Sequence, residues 1–143
     1  MKGEHILYRS DKSEWETPQE LFNKLDAVYH FETDVCALPE NAKCKRFFTP
    51  EQDGLKQEWT GSCWCNPPYG RNVWKWVKKA YESDALTVML FPVRTGTKWF
   101  HDYIYNHPGV SIEFLRGRLK FSGVKGEAPF PSMLIIFNRK GVK

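Results

Sequence analysis

Ser62-Cys63-Trp64-Cys65-Asn66-Pro67-Pro68-Tyr69-Gly70 is the stretch on which the fold turns. Its first four residues read as a strand. The double proline must stop that strand, because proline donates no backbone N–H and fixes φ. Val73, Trp76, Val77 and Ala80 then recur at helical spacing. Leu86-Thr87-Val88-Met89-Leu90-Phe91 is a nearly continuous apolar run, the pattern of a strand buried on both faces of a parallel sheet.

Working outward, Thr97 to Tyr105 reads as a further helix with Phe100, Tyr103 and Ile104 inward, and Val110 to Leu115 as a strand. Leu119-Lys120-Phe121 reads as a shorter strand, and Met133 to Phe137 closes the chain as an apolar one. Upstream, Thr17-Pro18-Gln19-Glu20 has the form of a capping box. Leu21, Phe22, Leu25, Val28 and Tyr29 follow it at helical spacing. Phe31 to Ala37 reads as a short strand, and Leu38 to Gly61 as irregular chain with turn chemistry at Pro50 and Asp53-Gly54. Strands alternate with helices in the middle, which argues an α/β fold with a mostly parallel sheet. The closing strands lack a helix between them and are expected to pair as a C-terminal antiparallel hairpin at an edge. Ligands bind beyond the carboxyl ends of strands in such sheets, and Asp34, Asn66 and Arg94 each fall near such an end.

The 143 residues fit one domain spanning 1–143, with 1–14 expected to be loose. Hydrophobic residues make up 41%, enough for a core, yet no run is long enough to cross a bilayer. The polar start differs from a signal peptide, so no membrane association and a cytoplasmic location are expected. Cys36, Cys44, Cys63 and Cys65 contain no CxxC pair, and His5, His30, His101 and His107 show no metal spacing. No metal is expected. Residues 1–70 carry net −4 and residues 71–143 net +8, which suggests an anionic partner for the second half.

The chemistry centres on Asn66, Pro67, Pro68 and Tyr69. An exocyclic amine on a base is a poor nucleophile, since its lone pair is conjugated with the ring. A catalyst should accept hydrogen bonds from the amine protons so that the nitrogen can turn pyramidal toward a methyl donor. The Asn66 side-chain oxygen and the Pro67 carbonyl offer two acceptors, stiffened by the prolines. Tyr69 can stack on a base swung out of its helix. The structural alternative is an ordinary Pro-Pro turn with Tyr69 as packing. No nucleophile or phosphate-binding loop is apparent.

Around this motif stand further ordered segments. They are Trp15-Glu16-Thr17-Pro18, Asp34-Val35-Cys36-Ala37, Phe48-Thr49-Pro50-Glu51-Gln52-Asp53-Gly54-Leu55, Pro92-Val93-Arg94-Thr95, Phe114-Leu115-Arg116-Gly117-Arg118-Leu119-Lys120-Phe121 and Ala128-Pro129-Phe130-Pro131-Ser132. Together they make the chain resemble the phage-type DNA N-6-adenine methyltransferases, over roughly Trp15 to Phe137. The resemblance implies a compact Rossmann-like fold, S-adenosylmethionine as cofactor, and adenine in double-stranded DNA as acceptor. It also implies cofactor contacts at Trp15, Thr17, Pro18, Asp34, Cys36, Asp53 and Asn66, with Asp34 near the donor's ammonium group and Asp53 near its adenosine. On the residues alone, Trp15 equally suits a hydrophobic staple, Asp34 a cap and Asp53 a turn. The larger Rossmann methyltransferases carry a glycine-rich loop where this chain has Cys36-Ala37-Leu38-Pro39. Asn-Pro-Pro-Tyr also resembles the motif of enzymes acting on RNA guanine or protein glutamine. A non-catalytic nucleic-acid-binding module on the same fold is a further alternative.

The expected DNA contacts are Arg71, Arg94, Lys98, Arg116, Arg118, Lys120 and Lys125, with Lys75 and Lys78 adding charge after the motif. Arg116, Arg118 and Lys120 recur every second residue and in a strand would share one face. Such contacts supply affinity that is independent of sequence and weakens with salt. Oligomeric state is not legible.

Overall fold

The computed structural model describes residues 16–121 and 126–142. Trp15 and Lys125, both expected contacts, lie outside the described residues, as does most of the N-terminal segment. The elements are α1 (Gln19–Tyr29), β1 (Thr33–Asp34), β2 (Arg46–Phe47), a 3-10 turn at Gly54–Lys56, β3 (Ser62–Cys65), α2 (Val73–Glu82), β4 (Leu86–Pro92), α3 (Lys98–Tyr103), β5 (Val110–Phe114) and β6 (Ser132–Phe137).

Six strands form one sheet in the order β2-β1-β3-β4-β6-β5. β2, β1, β3 and β4 pair in parallel. β6 runs antiparallel to both its neighbours, β4 and β5. The expected α/β fold with a closing antiparallel pair is therefore found, with one refinement. β6 inserts beside β4 and leaves β5 at the edge. Its sequence explains why: Met133, Leu134 and Ile135 are buried, while Ser111, Glu113 and Phe114 on β5 are exposed.

Side chains alternate across the sheet with period two. Cys63, Cys65, Met89, Phe91, Met133 and Ile135 pack on one face with Val73, Trp76, Val77 and Ala80 of α2 and with Phe100 of α3. Trp64, Val88, Leu90 and Leu134 pack on the other with Phe22 of α1. The Trp64 ring meets Phe22 edge-on at 5.6 Å. α1 thus covers one face and α2 and α3 the other. Thr97 caps α3, its hydroxyl accepting the Phe100 N–H at 3.3 Å.

Four expectations need correcting. Thr17 does not cap α1: Pro18 holds the cap position without a side-chain bond, because the Thr17 hydroxyl is engaged elsewhere. Val28 is 67% exposed and not on the packed face. Arg46–Phe47 is a strand inside the stretch read as irregular, held by only two residue pairs with β1. Leu119–Phe121 is not a strand, since Gly117 at φ 70 turns the chain after β5.

Candidate active site

β1, β3 and β4 run parallel, so Asp34, Asn66 and Arg94 follow their carboxyl ends along one rim of the sheet. Asp34 pairs with Trp64, two residues before Asn66. Strand spacing and rise then place Asp34 and Asn66 on the order of 8 Å apart at Cα.

Asn66 is 1% exposed, and its Nδ2 donates to Thr17 Oγ1 at 2.9 Å. Thr17 is itself 2% exposed. This bond spans 49 positions of sequence and fixes which arm of the amide is which. The acceptor arm, Oδ1, is turned away from Thr17. Pro67 is buried and Pro68 half-buried, so the backbone after Asn66 is held by packing as well as by its rings.

Tyr69 is half-buried. Its hydroxyl donates to the Leu90 carbonyl at 3.4 Å, and its ring stands edge-on to Phe130 at 6.0 Å. Burial, and secondarily the nearby Cys65, pushes the phenol well above its ordinary range. A neutral phenol tied to a carbonyl offers a ring surface and no base. Phe130 is a wall residue that the sequence reading placed only in a Pro-flanked loop.

Beside Tyr69 lies a small cavity of about 50 Å³, lined also by Gly70, Phe91, Arg94, Thr97 and Trp99. Phe91 and Trp99 stack at 5.1 Å. That volume holds only a few waters. A larger cavity of about 460 Å³ sits at the opposite end of the sheet, where Thr60, Gly61, Asp84 and Ala85 precede β3 and β4.

Asp34 is buried, and its carboxylate accepts the Cys36 N–H at 3.3 Å and the Lys43 N–H at 3.0 Å. It therefore organises the loop between β1 and β2. The Cys36 side chain is fully buried in the core. Burial first, then the charges of Asp34 and Asp26, pushes the Cys44 thiol up to about 12. Burial, then Glu32, does the same to Cys63, also up to about 12. Both values exceed the ordinary 9.0. The stability they contribute is present below pH 9.0 and is lost as pH climbs toward 12.

Asp53 adopts φ 59 and accepts the Leu55 N–H at 3.1 Å, as turn chemistry demands. Its neighbour Gly54 lies against β1: a Cβ there would come 2.1 Å from the Val35 carbonyl oxygen and 3.1 Å from Trp76. A glycine in this turn thus allows the close approach to the first strand. Pro18 is half-buried beside Thr17.

The expected DNA contacts divide. Arg71, Arg94, Arg116, Arg118 and Lys120 are exposed and have no ion-pair partner among the described residues. Lys98 instead binds Asp102 at 2.8 Å, which raises its pKa. Arg116 lies in the bend at Gly117 that follows β5, and Arg118 and Lys120 come after it outside any strand, so a shared strand face does not group them. Among the described residues no cluster of His, Cys, Asp and Glu could hold a metal, and no helix is long and apolar enough to cross a membrane.

Residues 5–139 match the family model described as DNA N-6-adenine-methyltransferase (Dam). The chain is 35% identical over 144 residues to the DNA N-6-adenine-methyltransferase of Haemophilus phage HP1, covering 92% of this chain and 82% of that protein. It is 36% identical over 92 residues to the enzyme of the same name from Escherichia phage T1, covering 60% of this chain and 38% of that protein. The match spans the rim from Thr17 through Asn66-Pro67-Pro68-Tyr69 to Ser132, and the chain therefore belongs to the DNA N-6-adenine-methyltransferase (Dam) family.

Proposed function

We propose that this chain transfers a methyl group from S-adenosylmethionine to the exocyclic N-6 amine of adenine in double-stranded DNA. The observation that carries the reading is the Thr17–Asn66 bond. A buried amide at the end of a strand, held by a partner from the far end of the chain, is pre-organised as electrostatic catalysis requires.

Asn66 Oδ1 and the Pro67 carbonyl accept the two amine protons and draw the nitrogen out of conjugation. Tyr69 gives the flipped adenine a ring to stack on, with Phe130 behind it. The nitrogen loses its extra proton to solvent after transfer, so no strong base is required.

The donor, when bound, supplies an electrophilic methyl group on a positively charged sulfur. The rim suits a cation: the Asp34 charge that penalises the Cys44 thiolate favours positive charge nearby. Asp34 and the loop it holds, with Thr17, Pro18 and Asp53, are the residues proposed to hold the donor. Duplex DNA and the donor are both found in the cytoplasm of a bacterial host, where this reading places the chain.

The test is incubation with labelled S-adenosylmethionine and unmethylated duplex DNA, followed by digestion to nucleosides. Label in N-6-methyladenine is expected. Label confined to RNA guanine or to peptide glutamine would overturn the choice of acceptor.

A further inference from the structure

α2 has two faces with different surroundings. Val73, Trp76, Val77 and Ala80 are buried against the sheet, which fixes the helix's rotation about its axis. The opposite face carries Trp74, Lys75 and Lys78 at the spacing that aligns side chains on one helix face, and Arg71 sits in the turn just before the helix. All four are exposed. Trp74 is 39% exposed, and the Lys75 Nζ lies 5.9 Å from its ring centroid. None of the three cations has an ion-pair partner among the described residues. The stripe begins at the residue after Gly70, so it starts at the active rim and descends from it.

We infer that this stripe is a track for the phosphate backbone of duplex DNA beside the target adenine, with the Trp74 indole packed on a flanking nucleotide. The inference rests on the reading of DNA as substrate and extends it to a surface that the chemistry does not need. Trp74 to Lys78 spans about 6 Å of helix rise, and Arg71 in the turn before the helix extends the stripe toward about 10 Å. One strand of B-DNA presents a charge every ~3.4 Å along the axis, so the stripe faces roughly three phosphates. Protein–protein interfaces are depleted in Lys, whereas an indole among unpaired cations suits a polyanion whose sugars offer it an apolar contact between phosphates. The track also predicts a gradient. Arg71 and Lys75 lie nearer the rim than Lys78, and Lys79 leans over Trp59 at 5.9 Å and lies off the stripe.

The experiment is fluorescence anisotropy with a labelled unmethylated duplex and S-adenosylhomocysteine, over a range of salt. Lys75→Ala/Lys78→Ala is expected to weaken binding at low salt about tenfold. It should also reduce the slope of log K against log salt by about 1.8, at roughly 0.9 per phosphate contact. Trp74→Ala is expected to weaken binding about tenfold with the slope unchanged, and Trp74→Phe to recover most of it. Circular dichroism should show all of these variants folded. Lys79→Ala should match wild type in affinity and slope. A wild-type slope in the double lysine variant overturns the track. So does sedimentation showing that Trp74→Ala dissociates a dimer, since a second copy would then cover this face. Wild-type protein without salt-dependent DNA affinity would instead remove the underlying reading.

Discussion

The two ends of the sheet differ in what they bury. At the carboxyl rim, polar side chains are buried against each other and against backbone: Asn66 on Thr17, Asp34 on two N–H groups. At the amino end stands the larger cavity, and nearby Arg139 is 6% exposed. Its guanidinium donates to the Tyr81 and Pro108 carbonyl oxygens and lies 3.7 Å from the Tyr81 ring centroid. Both ends thus hold buried polar groups, yet only one is followed by a loop that offers acceptors to a substrate. Volume is the poorer guide here. The cavity of about 460 Å³ lies away from every residue of the motif, while the motif borders one of about 50 Å³.

If this contrast is right, variants at the two ends should separate activity from stability. Asn66→Ala has the largest expected effect. Removing one pre-organised group of this kind costs roughly 10²–10³-fold in kcat. S-adenosylmethionine affinity by calorimetry should change little, and the melting temperature should fall by only about 5 °C, since Thr17 Oγ1 loses a buried donor. Near-normal methylation in this variant would sink the role given to Asn66.

Arg139→Met should do the reverse. It removes the donor from the carbonyls of half-buried Tyr81 and exposed Pro108, at about 1 kcal/mol for the more buried of the two, and removes the stacking on Tyr81. A melting temperature lower by about 5 °C is expected, with kcat of the folded fraction unchanged. A kcat loss without destabilisation would mean that the amino end takes part in the reaction.

The sequence reveals the rim better than its internal bonds. The strand–helix alternation around Ser62–Cys65 and Leu86–Phe91 is strong because these strands are buried on both sides and contain little else. β2 is two residues long, so no periodicity could announce it, while β1, expected over Phe31 to Ala37, shortens to Thr33–Asp34. Thr17 illustrates the limit most clearly. Its setting before Pro18 satisfies every local rule for a cap, but a partner 49 residues away takes the hydroxyl. Local rules also could not give Arg139 its role, since Tyr81 and Pro108 meet it only after folding.

Thr17→Val tests that long-range bond. The substitution keeps the volume and removes the acceptor, taking from Asn66 Nδ2 the bond to Thr17 that orients the amide. About a tenfold loss in kcat is expected, roughly one neutral hydrogen bond's worth of orientation. KM for DNA should hold, and Thr17→Ser should recover most of the rate. A merely structural role would lower the melting temperature and leave kcat of the folded protein alone.

Lys98→Ala has the smallest expected effect, about twofold or less in DNA affinity. Exposed ion pairs contribute little, and Asp102 already offsets the charge at 2.8 Å. Arg94, four residues earlier, has no such partner among the described residues and borders the cavity beside Tyr69. Arg94→Ala should therefore cost more than Lys98→Ala in the same anisotropy assay. Equal losses would mean that DNA draws Lys98 away from Asp102. In that case Asp102→Ala should tighten binding, because it releases the lysine without the competing carboxylate.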